Sequence, residues 1–363
     1  MKQYMIYNTC GTSVLTNPAR VDKSLWDNLI KYSNAKSEND ISNDIYTTIE
    51  KYWYDLIDKW ESYSIDEAKH KSAELNSLLT WQELNHIESQ KCYCYLLHTD
   101  TCLGALAAQL VESWLNKHQY MGCECVRIDN LNTANMDSFQ RGLSCLVKWI
   151  FGQPSIDSQQ QKCIFNVAGG FKAVSGFTQI LGQFVADETI YMFEDGHNIL
   201  SIPKLPMKWD EIESIQRYFD DYHKIALGIP LPNYDHLNTL WIKDRNFTPW
   251  GQIAWEKAKE QLYEEKVYPI VCDKIKEDDK FRKSLQNLDK TRIKLLNERL
   301  DDLSLYALSG KQNCLGRLDY KPIKGSSAYA FECDAWADKD AKRLFCNEKN
   351  GKIIVECLGS ALH

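Results

Sequence analysis

The chain has 363 residues, 44% of them apolar and 26% charged, with a net charge of −7. That is the make-up of a soluble globular protein with more chain than one core usually absorbs, so two or three domains are expected. No apolar run is long enough to span a bilayer, and Met1–Tyr7 is too short and too polar for a secretory signal, which points to the cytoplasm.

Gln3–Asn8 reads as an apolar strand, followed by Thr9-Cys10-Gly11-Thr12-Ser13. The stretch from Val21 to Gln90 is a long polar insertion rich in Trp and Tyr. Within it, Ile41–Ser62 carries Ile45, Ile49, Trp53, Leu56 and Trp60 on one helical stripe, the pattern of a core or subunit contact. A second strand, Cys92–Leu97, ends at His98-Thr99-Asp100. Leu103, Leu106, Leu110 and Leu115 then give Cys102–Lys117 helical spacing. Glu124–Ile128 is a third strand with a helix over Asp137–Ile150. Cys163–Val167 is a fourth, with a helix over Lys172–Ala186. Thr189–Phe193 and Ile199–Ile202 flank a hairpin turn at Asp195-Gly196. Strands alternating with helices imply a parallel, doubly wound sheet, and ligands of such sheets bind at the carboxyl ends of the strands. The thirteen cysteines lack a CxxC pair. Cys92/Cys94 and Cys123/Cys125 each share a strand face, so buried reduced thiols are expected and zinc is not.

Ile164-Phe-Asn-Val-Ala-Gly-Gly-Phe-Lys-Ala173 carries the strongest chemical signal. A strand stops at a glycine pair and turns directly into a helix. The glycines allow close backbone approach, and the helix start offers free N–H groups and a positive dipole end. Lys172 adds a mobile charge. The spacing is neither GxGxxG nor GxxxxGK[ST], so an anion, most simply a phosphate, is expected without either nucleotide fingerprint. A tight strand–helix turn with an exposed lysine is the bland alternative. Gly11-Thr12-Ser13 falls at a second strand end, so two loops converge on one crevice.

Ile202-Pro-Lys-Leu-Pro206 marks a domain boundary. Helical pattern follows at Trp209–Leu227, broken by Gly228-Ile-Pro-Leu-Pro-Asn233. Leu237–Ile242, Thr248–Gly251 and a helix over Gln252–Glu265 complete a small, mostly helical module of winged-helix type. It lacks a basic recognition helix. Then come a strand at Val267–Cys272 and amphipathic helices at Asp278–Leu288 and Lys290–Leu305, parted at Asp289. Leu285, Leu288, Leu295, Leu296, Leu300 and Leu303 form their apolar stripe. Short strands follow at Leu315–Leu318, Ala328–Cys333, Arg343–Cys346 and Ile353–Cys357, with a hairpin turn at Asn350-Gly351. This order describes an α+β domain with an antiparallel sheet. Residues 265–363 hold 19 Lys+Arg against 16 Asp+Glu, while the rest hold 24 against 34. The C-terminal part is therefore the better contact for a polyanion.

Two resemblances follow from these motifs. Residues 1–205 resemble the CRISPR-associated Rossmann-fold (CARF) sensor domains, through Asn8-Thr-Cys-Gly-Thr-Ser-Val-Leu-Thr-Asn17 and Asn166-Val-Ala-Gly-Gly-Phe-Lys172. Residues 265–363 resemble RelE/ParE-type toxins of the mRNA-interferase branch, through the element order, Leu318-Asp-Tyr-Lys-Pro-Ile-Lys-Gly325, Tyr329 and Lys342-Arg-Leu-Phe345. With 206–264 as a winged-helix-like module between them, the chain looks like a CRISPR-Cas-associated mRNA interferase.

The resemblance implies a type III CRISPR-Cas antiviral effector. It implies a homodimer binding a cyclic oligoadenylate, most simply the tetra-adenylate, across its axis, with no metal or cofactor and no membrane. The ligand residues implied are Thr9, Cys10, Gly11, Thr12, Ser13, Thr99, Asn166, Gly169, Gly170, Phe171 and Lys172. Ser13 and Lys172 could also support cleavage of the activator itself. The toxin resemblance implies an endoribonuclease that cuts mRNA, in the ribosomal A site, by 2′-hydroxyl attack on the adjacent phosphate. That chemistry needs orientation and charge neutralisation. Arg343, Lys321 and Lys324 are the candidate cations, His363 a proton-transfer group, and Arg317 and Tyr329 outer candidates. Ala330, Glu332 and Asp334 stand where many relatives carry basic residues. A ligand-gated transcription regulator with an inactive toxin fold is the competing reading.

Overall fold

The structure, a computed structural model, describes residues 3–153, 160–193, 198–206, 212–323 and 328–360. The chain divides into two compact units, Met1–Lys208 and Trp209–His363.

The first unit runs β1 (Gln3–Thr9), α1 (Ser13–Thr16), α2 (Lys23–Lys31), α3 (Asn43–Ser62), α4 (Ile65–Lys71), α5 (Ala73–Asn85), β2 (Cys92–His98), α6 (Cys102–Lys117) and β3 (Gly122–Arg127). It continues with α7 (Met136–Phe151), β4 (Gln161–Asn166), α8 (Lys172–Val185), β5 (Glu188–Met192) and β6 (Ile199–Pro203). The sheet order is β3-β2-β1-β4-β5-β6. The first five strands in that order are parallel, and β6 returns antiparallel to β5. The expected turn at Asp195-Gly196 lies outside the described residues, but the antiparallel pair that flanks it is present.

Period-two alternation assigns the sheet's two faces. Ile164, Ile6, Cys94 and Cys123 are register neighbours on one face. They pack with Trp60, Trp81 and Trp114 from α3, α5 and α6. One residue further along, Phe165, Tyr7 and Tyr95 line the other face, where Tyr95 meets Trp149 of α7 edge-on at 5.2 Å. The thiols of Cys94 and Cys123 are unlinked, and burial pushes both above their usual range.

The Val21–Gln90 insertion supplies much of this cover. On α3, Ile49, Leu56 and Trp60 of the expected stripe are buried and Ile45 and Trp53 pack against them. Trp53 Nε1 donates to the Leu106 carbonyl at 2.9 Å. The helix α5, which the sequence did not reveal, lies against β5 and ties to it through Trp81 Nε1 and Glu188 Oε1 at 3.3 Å. Among the described residues, no helix is long and apolar enough to cross a membrane.

The second unit opens with α9 (Ile212–Arg217), α10 (Phe219–Ala226), the hairpin β7 (Ile242–Lys243) and β8 (Asn246–Phe247), and α11 (Pro249–Leu262). Phe219, Tyr222, Trp241, Trp255 and Tyr263 form its aromatic core. Next come β9 (Ile275–Glu277), α12 (Asp279–Ser284), α13 (Lys290–Leu308), β10 (Lys321–Pro322), β11 (Phe331–Trp336), β12 (Lys342–Lys349) and β13 (Lys352–Ser360). These strands form one sheet, β10-β11-β12-β13-β9, antiparallel except that β9 runs parallel to β13. Leu296, Leu300 and Leu303 of α13 meet Cys333, Leu344, Cys346, Ile353 and Val355. Asn350 and Gly351 take φ values of 54° and 75°, the left-handed pair that a tight hairpin requires.

Two expected strands are absent. Val267–Cys272 is not extended into a ladder, because side chains take its backbone groups. Arg282 donates to the carbonyls of Val267 and Tyr268, while Asn297 and Glu277 accept from the N–H groups of Tyr268 and Ile270. The strand pairing with β13 is β9 instead. Leu315–Leu318 forms a turn, and Leu318 is buried in the core as a single anchor. The strand expected at Ala328–Cys333 begins three residues later, at Phe331.

A buried polar clasp joins α10, α11 and α13. Asp301 accepts from His223 Nε2 at 2.6 Å and from the Tyr263 hydroxyl at 2.7 Å. Burial pushes the Asp301 carboxyl up, but His223, Lys259 and Tyr263 outweigh it and hold the carboxyl below its usual range. A depressed folded value gives stability that is present above the unfolded pKa, near 4, and is lost as pH falls through the folded value. We therefore expect chemical unfolding to show stability dropping below about pH 4. Asp301→Asn should lose roughly 1.5–3 kcal/mol at neutral pH and show a shallower acid limb. Packing gives a second expectation. A Cβ on Gly251 would stand 2.1 Å from the Trp241 carbonyl oxygen, whereas one on Gly176 meets open space. Gly251→Ala should cost roughly 1–3 kcal/mol and Gly176→Ala should add about 0.5–1 kcal/mol, both read by denaturant titration.

Candidate anion crevice and candidate nuclease face

The chain leaves β1 toward β2 and β3 on one side, then crosses to β4 and β5 on the other. The carboxyl ends of β1 and β4 are therefore the topological switch point, the place where sheets of this kind hold ligands in a crevice. Here the loops touch. A Cβ on Gly11 would lie 2.9 Å from the Gly170 nitrogen, and Gly170 has φ +85°. Gly11 has no room for a side chain, and Gly170 takes a backbone conformation that glycine adopts most readily. Thr9 Oγ1 donates to the Gly169 carbonyl at 2.7 Å. Asn166 Nδ2 donates to Asn8 Oδ1 at 3.0 Å and to the Glu74 carbonyl at 2.8 Å.

The side chain beneath these loops is Glu74, from the first turn of α5. It is 1% exposed. Its Oε1 accepts the Gly11 N–H at 2.8 Å and its Oε2 accepts the Ser72 hydroxyl at 2.7 Å. A Cβ on Gly169 would sit 2.2 Å from Glu74 Oε1. The Gly11 N–H, expected as a ligand donor, is bonded here to a carboxylate. Thr9, Cys10, Thr99 and Asn166 are likewise buried and bonded internally, Thr99 to Thr101 at 2.8 Å. They shape the crevice rather than line its mouth. Burial, and then the Glu74 charge, pushes the Cys10 thiol well up.

The mouth holds the other expected residues. Gly170, Phe171 and Lys172 are exposed, and Thr12 and Ser13 half-buried. Thr101 and Asn135 cap α6 and α7 with their side chains, but Thr12 and Phe171 give no such cap to α1 and α8. Uncapped first-turn N–H groups at the start of the 14-residue α8 are available to an anion.

In the second unit, strand alternation places Lys321, Glu332, Asp334, Arg343 and Phe345 on the sheet face away from the core. Lys321 is the register partner of Glu332, and Asp334 of Arg343. Arg343 Nη1 lies 2.8 Å from Asp334 Oδ1, 3.3 Å from Glu332 Oε1 and 3.8 Å from Asp319 Oδ2. None of the three is aligned as a hydrogen bond to that buried nitrogen. Lys321 pairs with Asp319. The Tyr329 ring stacks on Phe345 at 5.1 Å, and its hydroxyl is pushed up to about 12, chiefly by a hydrogen bond with Cys357. The structure thus brings Arg343 and Lys321 together through Asp319, among three carboxylates that outnumber the two cations, while Tyr329 sits on Phe345 two residues along β12. Arg317 is committed elsewhere, to Asp302 of α13 at 2.8 and 2.7 Å. Lys324 and His363 lie outside the described residues. Among the described residues, no group of His, Cys, Asp or Glu is arranged to hold a metal ion.

Sequence reasoning missed Glu74 and Asp319. Glu74 lies in a part of the insertion past its helical stripe, and its partner is a backbone N–H 63 residues away. The geometry separates scaffold from mouth, and stability should follow. Asn166→Ala strands the acceptors of Asn8 and Glu74 and should cost about 1–3 kcal/mol, while exposed Lys172→Ala should stay within about 0.5 kcal/mol of the parent, both by denaturant titration.

No curated protein matches the chain. Residues 69–205 match the family model described as CRISPR-associated protein (Cas_APE2256). The match takes in α5 with Glu74, β2 through β6, and the Gly169–Lys172 loop, which makes this part of the chain similar to a CRISPR-associated protein.

Proposed function

We propose that the chain is a type III CRISPR-Cas antiviral effector, in which a cyclic oligoadenylate at the β1/β4 crevice switches on an endoribonuclease in residues 265–363. The observation that carries this reading is the crevice itself, a switch point closed by touching glycine loops and edged by the uncapped start of α8 and Lys172. The CRISPR-associated match over the same unit supports it. A cyclic ligand suits a two-fold homodimer, since each protomer grips an equivalent half. The tetra-adenylate is the simplest such ring.

The chemistry assigned to the second site is 2′-hydroxyl attack in RNA. The 2′-oxygen forms a bond to phosphorus as the bond from phosphorus to the 5′-oxygen breaks. Glu332 takes the 2′-hydroxyl proton, Lys321 supplies a proton to the departing 5′-oxygen, and Arg343 neutralises the growing charge on the phosphate. Asp334, directly across the strand, orients the guanidinium. Tyr329 offers a ring on which a base can stack. An mRNA held by the ribosome in its A site would arrive already positioned, which suits a face with so few groups.

One observation favours a second reading. Three carboxylates around Arg343 oppose phosphate binding, as an inactive toxin fold in a ligand-gated transcription regulator would allow. The acidic Glu213, Asp220 and Asp221 on α9 and α10 weigh against DNA binding by that module.

The test incubates the full chain with mRNA, with and without cyclic tetra-adenylate and ribosomes, and maps RNA ends. Ligand-dependent cuts ending in a 2′,3′-cyclic phosphate are expected. Arg343→Ala should lose at least ~2 kcal/mol of transition-state stabilisation and Glu332→Gln ~10²–10⁴-fold in rate. Undiminished cleavage by Arg343→Ala would remove this face from the reaction, and operator binding without any cleavage would establish the second reading.

A further inference from the structure

Glu74 is a carboxylate with an unusual address. It is buried to 1% exposure, bridges the two loops of the crevice through Gly11 and Gly169, and forms no ion pair with a cation among the described residues. Two neutral donors, the Gly11 N–H and the Ser72 hydroxyl, are its hydrogen-bond partners. Burying a charge on neutral donors alone is costly. Simple packing does not need the charge. A glutamine would accept from Gly11 with its oxygen and donate to Ser72 with its amide, filling the same space.

The charge also stands where it matters most for an anion. Glu74 Oε1 holds the Gly11 N–H of the first loop at 2.8 Å and packs under Gly169 of the loop that leads into the start of α8. In this water-poor setting its field on a phosphate at the mouth is poorly screened. The cation of the second loop, Lys172, acts the other way on an anion. It is exposed and therefore well screened.

We propose that Glu74 is a specificity-determining residue of the crevice. Its negative charge weakens binding of every anion at the mouth, so that a lone phosphate does not bind. A ligand presenting several phosphates and bases makes enough contacts to overcome it. This rests on the reading of the crevice as an anion site and assigns the residue that sets its threshold.

The experiment is calorimetric titration of inorganic phosphate, adenosine monophosphate and cyclic tetra-adenylate into the full chain and into Glu74→Gln and Glu74→Asp, with thermal unfolding as the check on folding. Glu74→Gln should bind cyclic tetra-adenylate at least tenfold more tightly and bring phosphate into the measurable range, narrowing the gap between the two. Glu74→Asp keeps the charge on a shorter side chain, and should bind none of the three probes more tightly than the parent. Unchanged or weaker binding by a folded Glu74→Gln overturns the proposal, as does an Asp variant that gains affinity like the Gln variant. If parent and variants alike bind none of the three probes, the anion-site reading falls and this inference with it.

Discussion

The two backbone loops touch because Gly11 carries no side chain at the point of contact and Gly170 takes a left-handed backbone. They meet at the switch point of the first sheet, and several side chains hold them there. Asn166 reaches from the end of β4 to Asn8 on β1 and to α5. Thr9 crosses in the opposite direction to Gly169. Glu74 closes the arrangement from beneath. The inner residues of both loop motifs are consumed in building the crevice, which leaves its chemistry to the mouth. There, the uncapped start of α8, Lys172, Thr12 and Ser13 are what a ligand would meet. The Val21–Gln90 insertion gains a role in the same way, because it supplies both cover for the sheet and the carboxylate under the glycines.

The second unit places its charges by a different rule. Antiparallel pairing fixes which side chains face one another, so Arg343 cannot avoid Asp334 and Lys321 cannot avoid Glu332. The result is a compact mixed-charge face on the far side of the sheet from the core helix. On the proposed reading, such a face supports acid–base chemistry through Glu332, Lys321 and Arg343. It can equally neutralise its own arginine. Whether substrate displaces Asp334 and Glu332 from the guanidinium decides between these outcomes, and the unaligned Nη1 contacts mean that few well-made hydrogen bonds would be lost in doing so.

The parallel sheet was readable from sequence because its signals are local. Leu103, Leu106, Leu110 and Leu115 mark α6 to the residue, and the switch from alternation to helical spacing at Gly169-Gly170 marks β4 and α8. The Asn350-Gly351 turn is equally local. Other features depend on partners far along the chain. Val267–Cys272 has the composition of a strand, but Arg282, Asn297 and Glu277 take its backbone groups. Arg317 reads as a free basic residue, yet Asp302 of α13 holds it. Glu74 carried no signal at all, since its meaning comes from a glycine N–H on the first loop. Residue types at both sites were visible in the sequence, whereas which charges neutralise one another emerged only from the fold.

The central claim is that the β1/β4 crevice is the ligand site, and amide hydrogen exchange across the full chain with and without cyclic tetra-adenylate addresses it most directly. The account predicts slowed exchange at Gly170 through Ala173 and at Thr12 and Ser13, the groups at the mouth, with the buried Asn166 and Glu74 scaffold unchanged or nearly so. Exchange that is unaffected at those amides, or slowed only in the second unit, would contradict it.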